Sequence, residues 1–496
     1  MVEILNYLIQ LRSLVLSLFI MASILSGCGT DNIDDELHEI IRRNSLTGDP
    51  ALGREIPSIE SKKAQLGMHL FYSKSLSGDR DTACVSCHHP MLGGGDGLSL
   101  PIGVAAVNQE IIGLGRTHDM GAPHFDGGPT VPRNAPTTFN IALWDAFLFH
   151  DGRLESIGKS KKRNGDDGFG FITPDSVSNL KDPIAGSNLV QAQARFPVTS
   201  TEEMKGFNHE EKTNQDTRDF IAARLGGYNI NGDALLDNSY WLRKFRDAYN
   251  SPSSSARELI TEQNIAELLG EYQRSQVFVN TPWKEYILGD YTALSLEAKK
   301  GGMLFFKSVE EKGAGCSRCH SGDFFTDENF YNLAIPQFGR GKGDGINGNN
   351  DFGRFRVTAD EEDLFAFRTP SLINVEVTGP WGHTGAYTSL DAVVKHHLDP
   401  RKAINEFEVS QLEQYGIQNL YETQVLSSEA LKTIDINNSV ELSKTEIGYI
   451  VDFLNSLTDP CVKSRECLGP WIPDFLNDVD PNGDQLIGVN FFGEIL

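Results

Sequence analysis

The chain has 496 residues, enough for two or three domains each with its own core. Its composition is that of an ordinary folded protein with no long biased tract, which excludes a collagen-like or wholly disordered chain. A formal net charge of −24 excludes a phosphate-binding surface, hence a nucleic-acid partner, and a polybasic membrane patch; it suits the steering of a small, positively charged redox protein.

In chain order, Leu14 to Leu25 is apolar, short for a membrane span, and ends in Leu25-Ser26-Gly27-Cys28. An apolar stretch followed by small residues reads as a secretory signal, here residues 1–27. The ending resembles a bacterial lipoprotein box, which implies cleavage before Cys28 and lipidation of its thiol. With Gly29 next, the same resemblance implies a periplasm-facing lipoprotein of the outer membrane, held through its lipid anchor only. Residues 28–57 then read as anchor and polar tether. Ala64 to Tyr72 has helical periodicity, and so does Ala298 to Phe306; the two segments are copies of one pattern. Further helical patterns run over Asn264 to Phe278 and over Leu390 to His397, where Ser389 is a suitable N-cap. Glycine- and aspartate-rich stretches at Leu92–Gly97, Asn164–Gly170 and Gly339–Gly353 read as long loops.

The seven cysteines are the most informative residues. Cys28 is assigned to the lipid. Cys461 and Cys467, six apart, pair most simply as a local disulfide in an oxidising compartment. The other four fall in two copies of C-x-x-C-H, at Cys84-Cys87-His88 and Cys316-Cys319-His320. Thiols at this spacing can add to the two vinyl groups of one porphyrin, and the next histidine then falls beneath its iron. A thioredoxin-like pair has no use for that histidine in both copies, and a zinc site would have to join pairs far outside the usual ribbon spacing. The cofactors read from the residues are therefore two covalently bound haem c groups. The fold class is mostly α: two cytochrome c-like haem domains in tandem with long loops. The expected limits are 58–255 for the N-terminal domain, 256–458 for the C-terminal one and 459–496 for an extension.

Around these sites lie ordered motifs: Gly67-Met68-His69-Leu70-Phe71, Arg133-Asn134-Ala135-Pro136-Thr137, His150-Asp151-Gly152-Arg153, Glu202-Glu203-Met204, Thr281-Pro282-Trp283, Phe367-Arg368-Thr369-Pro370 and Thr378-Gly379-Pro380-Trp381-Gly382-His383. In this order they resemble the bacterial dihaem cytochrome c peroxidase and MauG family. The resemblance implies that the haem on His88 meets hydrogen peroxide. It also implies that Glu203, just before Met204, and Gln193, ten positions earlier, form the distal catalytic pair. A carboxylate there can take a peroxide proton and return it to the leaving oxygen. The haem on His320 is implied to transfer or store charge. Its second axial ligand lies fourteen residues beyond His383, where the peroxidases carry methionine and MauG tyrosine; here it is His397. Bis-histidine ligation lowers a haem potential relative to a thioether ligand.

Other positions depart from the family. His150 stands where a bridging tryptophan is usual, so the candidate relays between the haems are His150, Trp144 and Trp381. The family's calcium maps onto Asn134, Thr378 and Pro380, and oxygen ligands suit that ion. Val104 stands where some members carry a sixth ligand; His118, His124 or no residue fills that role here. Asp478-Val479-Asp480-Pro481-Asn482-Gly483-Asp484 matches half an EF-hand loop without its glutamate and reads as a solvated acidic turn. The activity expected is a c-type peroxidase that reduces hydrogen peroxide with electrons from a small c-type cytochrome or cupredoxin. The rival expectation is a MauG-like maturase that oxidises Trp or Tyr of a protein substrate.

Overall fold

The computed structural model describes residues 30–178, 180–229, 236–434 and 439–496, so the signal segment and Cys28 lie outside it. The fold is mostly helical, as expected. Among the described residues, strands are confined to a three-stranded antiparallel sheet (Phe147–Leu148, Leu154–Ser156, Phe171–Ile172) and a two-stranded ribbon (Phe330–Tyr331 with Phe367–Arg368). Among the described residues no helix is long and apolar enough to cross a membrane.

The two repeats are helices of the same design. Lys62–Phe71 is capped by Ser61, whose hydroxyl accepts from the Ala64 N–H at 3.1 Å; Leu296–Phe306 is capped by Ser295 in the same way at 3.0 Å. Each crosses a second helix, the first Glu262–Arg274 and the second Lys444–Asn455. The crossings are made at corresponding glycines. A Cβ on Gly67 would run into the Leu268 carbonyl, and one on Gly301 into that of Tyr449. Glycine costs a helix about 1 kcal/mol relative to alanine, and here the cost is offset by the close approach of two backbones. After each repeat helix a 3-10 turn, Cys84–Ser86 or Cys316–Arg318, carries the C-x-x-C-H motif.

Two expectations about boundaries need correction. The helix Glu262–Arg274 belongs to the N-terminal unit, because Ile265, Leu268, Leu269 and Tyr272 sit in one core with Leu66, Leu70 and Phe71. The first unit therefore runs to at least Arg274, not to residue 255. The segment read as a polar tether contains a helix, Thr30–Arg43. Its Leu37, Ile40 and Ile41 recur at three- and four-residue spacing and enter the C-terminal core beside Phe305 and Phe453. Asp34 fixes it further, accepting from the Tyr286 hydroxyl at 2.7 Å and pairing with Lys299 at 2.8 Å.

The acidic turn is not solvated. Asp480 and Asp484 are buried, Arg80 and the Ser75 hydroxyl bind Asp484, and Lys244 pairs with Asp478. The extension that carries this turn lies on the N-terminal unit. Leu486 N–H donates to the Tyr72 carbonyl at 2.8 Å, and Ile472 and Leu486 join the N-terminal core. Cys461 and Cys467 form the disulfide that starts the extension.

The two units meet at a buried ionic knot. Arg133 makes a two-pronged contact with Asp351 (2.6 and 2.8 Å) and a third bond with Asp151 at 2.6 Å. Arg354 of the second unit donates to the Asp151 and Gly152 carbonyls of the first.

Candidate active site

The four motif cysteines carry free thiols, none of them drawn into a disulfide. His88 donates Nδ1–H to the Gly94 carbonyl at 3.1 Å, and His320 does the same to Phe325 at 3.1 Å. A backbone carbonyl only accepts, so each contact fixes the tautomer and leaves Nε2 bare for a metal. Burial pulls the His88 ring below its usual pKa, and burial with the facing His397 ring pulls His320 down to about 4. Both rings are thus neutral, as ligation requires. Free thiols beside such a histidine fit a covalently bound haem at both positions.

His397 follows the same design. It lies on Leu390–Leu398, with Nδ1–H donated to the Val393 carbonyl at 2.8 Å. Its ring faces that of His320 with centroids 6.4 Å apart. Metal–imidazole nitrogen bonds are about 2 Å, so the gap admits one metal atom bonded to both rings.

Glu203 sits in the π-type turn Thr201–Lys205, against the first attachment motif: the sulfur of Met204 is 3.9 Å from that of Cys84. Burial raises its carboxyl pKa, opposed by Arg153 and Lys342 and reinforced by Glu202. The turn is seated by the extended segment before it. Val104 N–H donates to the Glu202 carbonyl at 3.3 Å, and a Cβ on Gly103 would fall 2.5 Å from the Glu203 carbonyl oxygen and 2.8 Å from its Cα. Sequence reasoning passed over Gly103; its only signal was a glycine between apolar residues. Gln193 is half-buried at the end of the short helix Leu189–Gln193.

His118 and His124 lie together, centroids 5.5 Å apart, and His124 stacks on Phe207 at 3.7 Å, just past the Glu203 turn. His118 is anchored through Nδ1 to the Gly128 carbonyl at 2.9 Å.

The relay candidates separate. His150 is at the junction of the units: its Nε2–H donates to the Asn134 carbonyl at 3.0 Å, and its own carbonyl accepts from Arg368 N–H at 2.8 Å. Burial, with Arg133 nearby, lowers its pKa to about 4, so it is neutral. Trp144 is buried with its edge on Phe324 and the Arg368 guanidinium 3.4 Å over its ring. A cation on its face opposes loss of an electron, which makes Trp144 the poorer relay. Trp381 donates Nε1–H to the Val375 carbonyl at 3.0 Å.

Asn134 donates Nδ2–H to the Leu98 and Ser99 carbonyls. Pro380 lines an open cavity of about 170 Å³ with Ser99, Thr388, Glu413 and Gln414, so Ser99 links the two positions. Thr378 ends the turn before Pro380, its hydroxyl donating to the Val375 carbonyl at 3.3 Å.

Sequence reasoning missed one pair altogether. The Tyr387 hydroxyl and His396 Nδ1 are 2.6 Å apart in the interior, directly behind His397.

A family model described as di-haem cytochrome c peroxidase matches residues 61–292. The methylamine utilization protein MauG of Methylorubrum extorquens is 27% identical over 371 residues, 73% of this chain and 78% of the relative. Cytochrome c551 peroxidase of Pseudomonas aeruginosa is 25% identical over 337 residues, 68% of this chain and 71% of the relative. Among solved structures, a MauG-like protein associated with microbial copper homeostasis superposes with TM-score 0.51 at 19% identity, covering 83% of this chain and 95% of that one. The diheme peroxidase BthA of Burkholderia thailandensis gives 0.50 at 16% identity, covering 83% and 89%. These likenesses establish a shared fold.

Proposed function

The chain belongs to the di-haem cytochrome c peroxidase and MauG family and is a haem oxidoreductase, and from that premise we propose that it reduces hydrogen peroxide to water with electrons from a small c-type cytochrome or cupredoxin. Cys84, Cys87 and His88 would hold one haem c; Cys316, Cys319, His320 and His397 would hold the other. Bound there, these groups supply redox-active iron that takes up and passes on single electrons.

The protein supplies the proton chemistry. Converting one peroxide to two waters consumes two electrons and two protons. The Glu203 carboxylate would take the proton from one peroxide oxygen and deliver it to the other. The Gln193 amide would orient the peroxide by hydrogen bonds. The observation that supports this reading is the turn that carries half-buried Glu203, its neighbour Met204 against Cys84, with desolvation raising the Glu203 carboxyl above its usual pKa. A mere electron carrier has no use for such a carboxylate.

The test mixes the diferric protein with hydrogen peroxide and reduced small c-type cytochrome. Fast catalytic oxidation of the cytochrome supports the proposal. Absence of reaction from both the diferric and the half-reduced protein overturns it.

One observation favours the second reading, oxidation of Trp or Tyr in a partner protein. The His320–His397 pair would stabilise oxidised iron better than a methionine ligand does. A long-lived oxidised state that barely accepts electrons from cytochrome would select it. Calcium at Asn134, Thr378 and Pro380, and a periplasm-facing outer-membrane lipoprotein anchored at Cys28, complete the proposal.

A further inference from the structure

His396 and His397 are consecutive on the helix Leu390–Leu398, so their side chains leave it about 100° apart. His397 faces His320; His396 turns into the core and is 0% exposed. The two neighbouring rings lie with centroids 6.3 Å apart. His396 Nε2 is 2.7 Å from the Leu333 carbonyl, which can only accept, so this nitrogen carries the proton. Nδ1 of the neutral ring is then a bare lone pair, and the Tyr387 hydroxyl donates to it at 2.6 Å. Tyr387 is 3% exposed, with Phe407 edge-on to its ring.

A buried phenol is hard to oxidise alone, because the product is an isolated charge in a low-dielectric site. A phenol that donates to a bare imidazole nitrogen escapes that cost by handing over its proton as the electron leaves.

We propose that Tyr387 is a redox-active tyrosine serving the haem on His320, with His396 as its proton acceptor. In the forward step Tyr387 gives one electron to the haem c oxidised by peroxide. The phenolic O–H bond breaks, and the proton forms an N–H bond at Nδ1 of His396. This leaves a neutral tyrosyl radical and a protonated imidazole. When one electron returns from the donor protein, the proton goes back to the phenol. The site holds an oxidising equivalent when no donor is docked. Trp381, half-buried, is paired to Tyr387 through backbone bonds of 2.8 and 3.2 Å.

The inference rests on the peroxide reading for its physiological oxidant, and the test separates the two. The diferric protein is frozen at intervals after one equivalent of hydrogen peroxide, without donor, and examined by electron paramagnetic resonance. The expected result is a tyrosyl radical whose signal narrows with ring-deuterated tyrosine and whose decay slows in heavy water. It is absent from Tyr387→Phe, whose visible haem spectrum is unchanged. His396→Gln keeps the phenol but loses the base, and should lower the radical yield at least tenfold. In a parallel arm a photogenerated ruthenium(III) polypyridyl oxidises the protein without peroxide. A Tyr387-dependent radical in that arm alone sustains the inference and sinks the peroxide reading. Oxidation of the haems with no tyrosyl signal, or the same signal in Tyr387→Phe, overturns the inference and leaves the pair a positioning contact for His397.

Discussion

His320 and His397 face one another with ring centroids 6.4 Å apart, and each has its Nδ1 proton tied to a backbone carbonyl, that of Phe325 and that of Val393. Two rings so oriented fit the bis-histidine ligation proposed above. His397→Met should therefore raise the potential of that haem by a sizeable part of the roughly 0.8 V that axial ligation spans. Potentiometric titration followed in the visible region checks this; an unchanged potential would show that His397 is not a ligand.

Removing the carboxylate at Glu203 should leave both haem spectra intact and slow peroxide turnover by roughly 10²–10⁴-fold, the usual worth of a positioned acid–base group. Glu203→Gln is the direct variant. Gly103→Ala tests the seat: its new Cβ meets the Glu203 backbone, so the turn must shift and activity should fall with the carboxylate still present. Stopped-flow rates with matched visible spectra distinguish these outcomes from loss of haem.

His69 should make the protein sensitive to mild acid. It is buried, with its Nε2 3.0 Å from Asp478. Burial and then Lys244 lower its pKa from 6.5 to about 4, against the opposing pull of Asp478. Below pH 6.5 the unfolded chain takes a proton that the folded one refuses, so the unfolded state is favoured. This contribution is fully present above pH 6.5 and is lost as pH falls to about 4. In His69→Gln the plot of unfolding free energy against pH should flatten across that window by about one proton's slope. An unaltered slope would remove His69 from the account.

The N-terminal helix should prove integral to the fold. Leu37 is 0% exposed in the C-terminal core, and Leu37→Ala should destabilise that unit by about 2–5 kcal/mol. Denaturant unfolding monitored at the C-terminal haem reads the effect. A free tether would show none.

Much of the site was legible because its chemistry is local. The two C-x-x-C-H motifs and the capped repeat helices declare themselves within a few residues, whereas His397 came only from the family resemblance, fourteen residues beyond His383. What stayed hidden depends on partners distant in the chain. The periodicity of Ile265, Leu268 and Leu269 announces a buried face but not which core receives it. Leu37, Ile40 and Ile41 stand among ten polar or charged neighbours of Thr30–Arg43, so average polarity masked a real stripe. Asp478 and Asp484 looked solvated because Lys244 and Arg80, which neutralise them, lie more than two hundred residues away. The Tyr387–His396 bond was invisible for a different reason: its orientation is set by the Leu333 carbonyl, and carbonyls leave no mark in a sequence.

The chain crosses over itself at both ends, with Leu37 in the core of the second unit and Leu486 in the core of the first. A ribosome delivers these pieces in the least convenient order. The helix Thr30–Arg43 emerges before its resting place exists, and the N-terminal unit lacks one wall until Leu486 appears. Cys84 and Cys87 thus leave the ribosome on a unit that is still unfinished. The extension then closes like a latch. Shortening the chain from its far end should therefore injure the near haem domain first.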